Sequence, residues 1–190
     1  MILQEVPNLC VMGGDAANIV EYHLQPKTIS HAFINFPEPP SGEGQLFAFG
    51  NSHNCSSCCV SHACTGWQGV DDASNSLALL TPSFFRNLHR LLEPCGRLTI
   101  FSDNGRYSRA LASMVGCLQG SAGAPKLFAS VDLDAHNLTF EYIDDIKLYH
   151  GIPGPECGHS RHEQSYFDRF WEYRQGEDTE RFFLLLARQE

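Results

Sequence analysis

Residues 81–104 read TPSFFRNLHRLLEPCGRLTIFSDN, and this stretch decides the fold class. Thr81 is a natural N-cap, Pro82 suits the first helical turn, and Gly96 is placed to close the helix. Between them Phe84, Phe85, Leu88, Leu91 and Leu92 form one apolar stripe, while Arg86 and Arg90, four apart, share another face. The turn leads straight into a short apolar run, RLTIFS, that ends in the carboxylate of Asp103. A helix that turns tightly into a buried strand is the repeating unit of an α/β protein.

The same alternation extends in both directions. Upstream, NLCVMGG (8–14) reads as a short buried strand with Asp15 directly after it. DAANIVEYHL (15–24) has helical spacing at Ala16, Ile19, Val20 and His23 or Leu24, and stops before Pro26. Residues 32–36, AFINF, read as a second strand that runs into Pro37-Glu38-Pro39-Pro40. Downstream, GRYSRALASMVGCLQG (105–120) reads as a helix, and KLFASVDLD (126–134) and TERFFLLLARQ (179–189) as strands. A polar, His-rich stretch, 149–180, separates the last two. The order predicts a mostly parallel sheet wrapped by helices in a single domain spanning 1–190. Residues 41–72 interrupt it: they are rich in Gly, Ser, Asn and Cys, contain no Lys or Arg, and read as an inserted loop.

Composition narrows the function classes. At 190 residues and 43% hydrophobic content the chain has material for one core. No run approaches the ~20 apolar residues of a membrane span, and the start, MILQEVPNLCVMGG, lacks the basic n-region of a secretory signal. Of the eight cysteines, Cys10, Cys95, Cys117 and Cys157 are scattered through apparent secondary structure and the chain is not a small, cysteine-framed secreted domain, which points to a reducing, intracellular compartment, cytoplasmic or nuclear. A formal charge of −9 opposes a general nucleic-acid surface. Five of the 13 Lys and Arg residues nevertheless fall between Arg86 and Arg109, opposed there by Glu93 and Asp103 alone, so a local basic face is expected on an acidic body.

In open parallel sheets the ligand crevice lies beyond the carboxyl ends of the strands. Asp15, Glu38 and Asp103 each follow a predicted strand and are expected to converge on one mouth. The alternative is that each merely caps the next helix or turn. Pro39 offers no N–H, which makes a cap at Glu38 less natural.

These segments resemble, in order, those of the tRNA (guanine-N7) methyltransferases. INFPEPP looks like their FPDPW segment, and MGGDAANIV like their GDA followed by a helix. FFRNLHRLLEPCGRLTIFSDNGRY looks like their helix, turn, strand and TDN-x-x-Y. SYFDRFW (165–171) is similar to their T-K-F-E segment, and a final apolar strand closes both. The resemblance covers residues 8–40 and 77–190. It implies a Rossmann-like class I methyltransferase sheet that uses S-adenosylmethionine and takes tRNA as substrate. It also implies that the first two strands and the Gly-rich cofactor loop match nothing here, so an upstream segment or a second protein chain is expected to complete the sheet.

Guanine N7 already carries a lone pair, so its methylation needs no general base. The purine becomes cationic, and a preplaced carboxylate stabilises that charge. By resemblance, Asp15 and Ala16 would hold the adenine end of the cofactor, and Glu38 would be the catalytic group where cofactor and guanine meet. Asp103, Ser165, Tyr166, Phe167 and Asp168 would hold the guanine nucleotide. Arg106, Tyr107 and Arg109 would meet RNA by phosphate contact or stacking, with packing under the sheet edge as the alternative for Tyr107. The chain departs from the family in having Glu38 for Asp, Asp168 for Glu, and Ser102 and Ser165 for threonines. The family's basic run after FPDPW is replaced by Pro40-Ser41-Gly42-Glu43. Those departures favour a second reading, a non-catalytic binding or scaffold module of the same origin, and leave open another class I substrate.

Within the loop, Cys55, Cys58, His62 and Cys64 offer four soft ligands of the kind a structural zinc needs. Their confinement to ten residues favours a cysteine-rich insertion without metal.

Overall fold

The computed structural model describes residues 10–37, 79–118, 125–133, 138–158 and 180–190. Its elements are α1 (Ala16–Asn18), continued by a π-helical turn (Ile19–His23), β1 (Ile29–Asn35), α2 (Pro82–Leu91), β2 (Leu92–Ser102) and α3 (Gly105–Cys117). They continue with β3 (Phe128–Ser130), β4 (Thr139–Ile143), β5 (Ile146–His150), a 3₁₀ turn (Pro155–Cys157) and β6 (Phe182–Arg188). The protein is α/β, with an open six-stranded mixed sheet in the order β1-β2-β6-β5-β4. No helix among the described residues is long and apolar enough to cross a membrane.

β6 is the centre of this sheet because its sequence, FFLLLAR, is apolar on both sides. Phe182, Leu184 and Leu186 face the helices, where they pack with Leu98 and Ile100 of β2, Phe84, Phe85 and Leu88 of α2, and Leu111 and Val115 of α3. Phe183 and Leu185 face the other way, onto Phe101, Tyr149 and the buried Cys157. One edge of β6 pairs with β2. The other is shared end to end, first by β3 and then by β5, with Val131 N–H bridging to the Leu185 carbonyl between them.

The expected parallel sheet is corrected. Only β1 and β2 run parallel, and every other pairing is antiparallel. The cause is a β-hairpin, β4–β5, whose strands the sequence reading left inside loop, and the reversed path of β6. Asp144 (φ +46) and Asp145 (φ +70) form its two-residue turn, and positive φ at both centres is what a type I′ hairpin turn requires.

Three element limits also differ from expectation. Residues 10–14 form no strand, and Val11 is 83% exposed. The second helix stops at Leu91, before Glu93-Pro94-Cys95-Gly96. The left-handed residue of that turn is Cys95 (φ +61), not Gly96. Gly96 is needed for another reason, since a Cβ there would lie 2.8 Å from the Glu93 carbonyl and 3.1 Å from that of Ile29. The strand expected over 126–134 is confined to Phe128–Ser130, after which Val131 accepts a hydrogen bond from the Tyr149 hydroxyl.

α2 is fixed to the far end of the chain by His89, whose Nε2–H donates to the Gln189 carbonyl at 2.9 Å and whose ring meets Phe128 edge-on at 5.5 Å. Burial holds the His89 imidazole below its ordinary value, with the Arg188 guanidinium acting in the same direction against the Gln189 hydrogen bond. The unfolded chain therefore binds a proton more readily than the folded one. Stability is expected to be full above the unfolded value of about 6.5 and to fall as pH drops through that value towards the lower folded one. Urea titrations at pH 7.5 and 5.5 check this, and the fall should shrink in a His89→Gln variant. An equal fall in both would remove His89 as the source.

Candidate functional site

Because β1 and β2 are parallel neighbours, their carboxyl ends lie side by side. Asn35 is level with Phe101, and the next amide, Phe36 N–H, donates to the Phe101 carbonyl at 2.7 Å. The segments that follow, Pro37 onward and Ser102-Asp103-Asn104, therefore leave the sheet from one mouth. The path out of β1 is constrained: Phe36 has φ +50, a conformation unusual for a bulky residue, immediately before a proline. Its ring is held edge-on to Phe101 at 4.8 Å. Backbone held in a sparsely populated conformation at a strand end is a common property of functional sites.

On the β2 side the local chemistry separates capping from function. Asn104, not Asp103, caps α3: its side chain accepts from Tyr107 N–H at 3.0 Å, and its own N–H donates to Ser102 Oγ at 3.1 Å. Asp103 is half-buried and makes no hydrogen bond or ion pair among the described residues. Among the described residues, then, no contact uses the carboxylate at this strand end. The sequence reading missed Asn104; an Asn directly before the apolar spacing of GRYSRALASMV is the cap signal that finds it.

Asp15 behaves in the opposite way. It caps α1, accepting from Ala17 N–H at 2.9 Å, and is exposed. With Met12, Gly13, Gly14, Asn18, Ile19 and His23 it lines a shallow depression of about 360 Å³. No hydrogen bond or ion pair among the described residues joins Asp15 to the β1–β2 mouth. Ala16, beside it, opens the helix and is partly buried. Glu38, the segment Ser165-Tyr166-Phe167-Asp168, and the four loop ligands Cys55, Cys58, His62 and Cys64 lie outside the described residues. Among the described residues no cluster of three metal-binding side chains occurs.

The expected basic face is mostly committed to holding the fold. Arg90 donates to the Val20 and Glu21 carbonyls, tying the π-helical turn to α2. Arg109 pairs with Glu141 at 2.9 Å and lies over the Phe182 ring at 5.6 Å. His150 approaches the same Glu141 at 3.5 Å and packs against Phe182. Arg86 and Arg106 are exposed. Tyr107 is only 5% exposed and belongs to the core, so its ring is not presented to a base. Burial pushes its phenol up to about 12.

The wall of the mouth opposite the helices comes from residues 151–158. Gly158 (φ +76) ends the 3₁₀ turn so close to β1 that a Cβ would lie 3.0 Å from His31 Nδ1 and 3.1 Å from Phe33. His31 is oriented by Thr99, at 2.8 Å from its Nε2, and stacks on Phe33 at 4.0 Å. At the other end of this wall Gly151 N–H donates to the Arg181 carbonyl, just ahead of β6.

No protein-family model matches the chain, and no curated protein is significantly similar to it.

Proposed function

We propose that the chain is a tRNA (guanine-N7-)-methyltransferase-like protein that carries the substrate side of a methyl-transfer cleft. The observation that carries this reading is the paired exit of β1 and β2, with a carboxylate, Asp103, that has no partner among the described residues, beside the strained Phe36–Pro37 turn that leads to Glu38. Two carboxylates at adjacent strand ends suit a purine that gains positive charge as it is alkylated. Asp103 would accept hydrogen bonds from the guanine N1–H and exocyclic amine, and Glu38 would face the ring from the neighbouring strand end. No proton has to be removed from N7, which fits the absence of any requirement for a basic imidazole in this arrangement.

S-adenosylmethionine, when bound, supplies a methyl group activated on a sulfonium. The described residues suit one end of it. Met12 and Ile19 could sandwich an adenine, with Asn18 and the remaining oxygen of Asp15 as polar partners in the shallow depression. The methionine end falls to Glu38 and to a Gly-rich loop that the resemblance places upstream. By resemblance, Ser165 to Asp168 would hold the nucleotide. In this reading the chain works in the cytoplasm or nucleus, where Cys10, Cys95, Cys117 and Cys157 stay as thiols.

One observation favours the non-catalytic alternative, a binding or scaffold module. Among the described residues the sheet ends at β1, and no strand lies beyond it on the side where the resemblance puts the cofactor-binding strands. A second protein chain that supplies those strands reconciles the two readings.

The deciding experiment is transfer of labelled methyl from S-adenosylmethionine to unmodified tRNA, followed by borohydride–aniline cleavage at N7-methylguanine. It should be run with the chain isolated from its source together with whatever co-purifies. Label at guanine N7 establishes the enzyme. Calorimetric binding of S-adenosylhomocysteine without transfer would leave the scaffold reading, and neither binding nor transfer would end the methyltransferase proposal.

A further inference from the structure

The opposite edge of the sheet, β4, is built to be used. The turn at Asp144-Asp145 makes Ile143 and Ile146 a mutually hydrogen-bonded pair, and the alternation of an antiparallel ladder then fixes the rest. Glu141 and Thr139 turn their backbone groups inward to β5. Phe140 and Tyr142 turn theirs outward. Neither backbone has a hydrogen-bond partner beyond the hairpin among the described residues. The strand carries no Pro or Lys, the residues that usually blunt such an edge.

Its side chains add to this. Phe140 is 45% and Tyr142 63% exposed, with rings 5.4 Å apart. Lys147 lies over both, at 4.7 and 5.5 Å, which demonstrates that the pair accepts a cation. Four carboxylates surround the hairpin, Asp132, Glu141, Asp144 and Asp145. Three of them already pair with the cations present, Lys147, Arg109 and Lys126. Asp144 accepts only from Ser113. Among the described residues the local balance is therefore negative, with no uncommitted Lys or Arg at the hairpin for phosphate. A nucleic acid and a second copy of a chain with net charge −9 are both disfavoured.

We propose that the outer edge of β4 receives an extended, basic segment of a partner protein as an added strand, its Lys or Arg side chains set against the two aromatic rings and the acidic turn. This does not rest on methyl transfer and stands or falls separately from it.

The test uses the 190-residue chain and two dye-labelled decapeptides, one alternating Val and Lys, the other Val and Glu. The Lys peptide is expected to bind. Amide exchange should slow about tenfold at Phe140 and Tyr142, as for newly hydrogen-bonded amides, and stay unchanged at Glu141 and Ile143. Tyr142→Pro removes an outward donor and one of the two rings while sparing the ladder to β5, and should weaken binding at least about fivefold, the loss of one hydrogen bond, with the lost ring adding to it. Asp144→Asn with Asp145→Asn keeps residues that tolerate positive φ, and should weaken binding and flatten its salt dependence. If Tyr142→Pro does not fold, the double Asn variant and the exchange map decide. Equal binding of the Glu peptide would overturn the proposal. So would Lys-peptide binding without protection at Phe140 and Tyr142, the same protection arising by self-association, or displacement of the peptide from this edge by single-stranded RNA.

Discussion

Replacing Asp103 with Asn is expected, on the function proposed above, to lower methyl transfer to guanine by about two to three orders of magnitude, the usual loss when a preplaced electrostatic group is removed. Stability should hardly change. Asp103 has no hydrogen-bond or ion-pair partner among the described residues, and its neighbour Asn104 does the capping, so the effect on the fold should stay within about 0.5 kcal/mol. Asn104→Ala is the matching control. It removes the cap and should cost about 1 kcal/mol of stability while leaving the carboxylate in place. The pair therefore separates chemistry from folding: one variant should lose rate and keep its melting temperature, the other the reverse. A single-turnover assay and a thermal melt on each decide the matter. If Asp103→Asn transfers methyl at the parent rate, its role at the guanine must be given up.

The largest expected effect on stability comes from the other side of the sheet. Phe85 is fully buried, edge-on to Phe84 at 5.9 Å and to Phe128 at 6.4 Å, where α2 meets β3. Cutting it to Ala removes the packing and leaves a cavity whose lining cannot collapse, for a cost of about 3–5 kcal/mol. For a chain of this size that corresponds to a fall of about 10 °C in the melting midpoint. Phe85→Leu should lose less than half as much. Urea unfolding with an unchanged slope and a lowered midpoint is the expected signature. A shift of less than about 1 kcal/mol would mean that α2 is not packed on the sheet as described.

Where sequence reading succeeded, several signals agreed. Thr81, Pro82 and a four-residue apolar spacing all mark α2, and the observed cap, Thr81 Oγ1 accepting from Phe84 N–H, is the one the residues predict. β6 was legible because six apolar or small residues in a row, Phe182–Ala187, followed by Arg188, can be buried only between two layers. The hairpin was not legible because its turn is Asp-Asp, without the glycine that normally announces a type I′ turn. Strand direction was lost with it, since alternation of elements cannot reveal a strand that returns antiparallel into the centre. Within the expected strand 8–14, the described residues 10–14 were misread for a related reason: an apolar run suggests a strand, but a strand exists only where a neighbour accepts its hydrogen bonds.

The site was half legible. That an acid follows RLTIFS is plain in the sequence. That it is free of structural duty depends on which of two adjacent residues, Asp103 or Asn104, turns back to the helix, and both are good caps. Arg109 looked available for RNA because its partner, Glu141, lies 32 positions away in sequence on the unrecognised hairpin.

The position of β6 also dictates when the protein can come into being. Its seven residues pair with β2 on one side and with both β3 and β5 on the other. Without residues 182–188, β2 on one flank and the hairpin on the other share no strand pairing among the described residues. Each is an apolar fragment with an unpaired edge. Closing the sheet is therefore a cooperative event dominated by contacts distant in sequence. Until β6 is seated, the flanking strand edges are open to neighbouring chains.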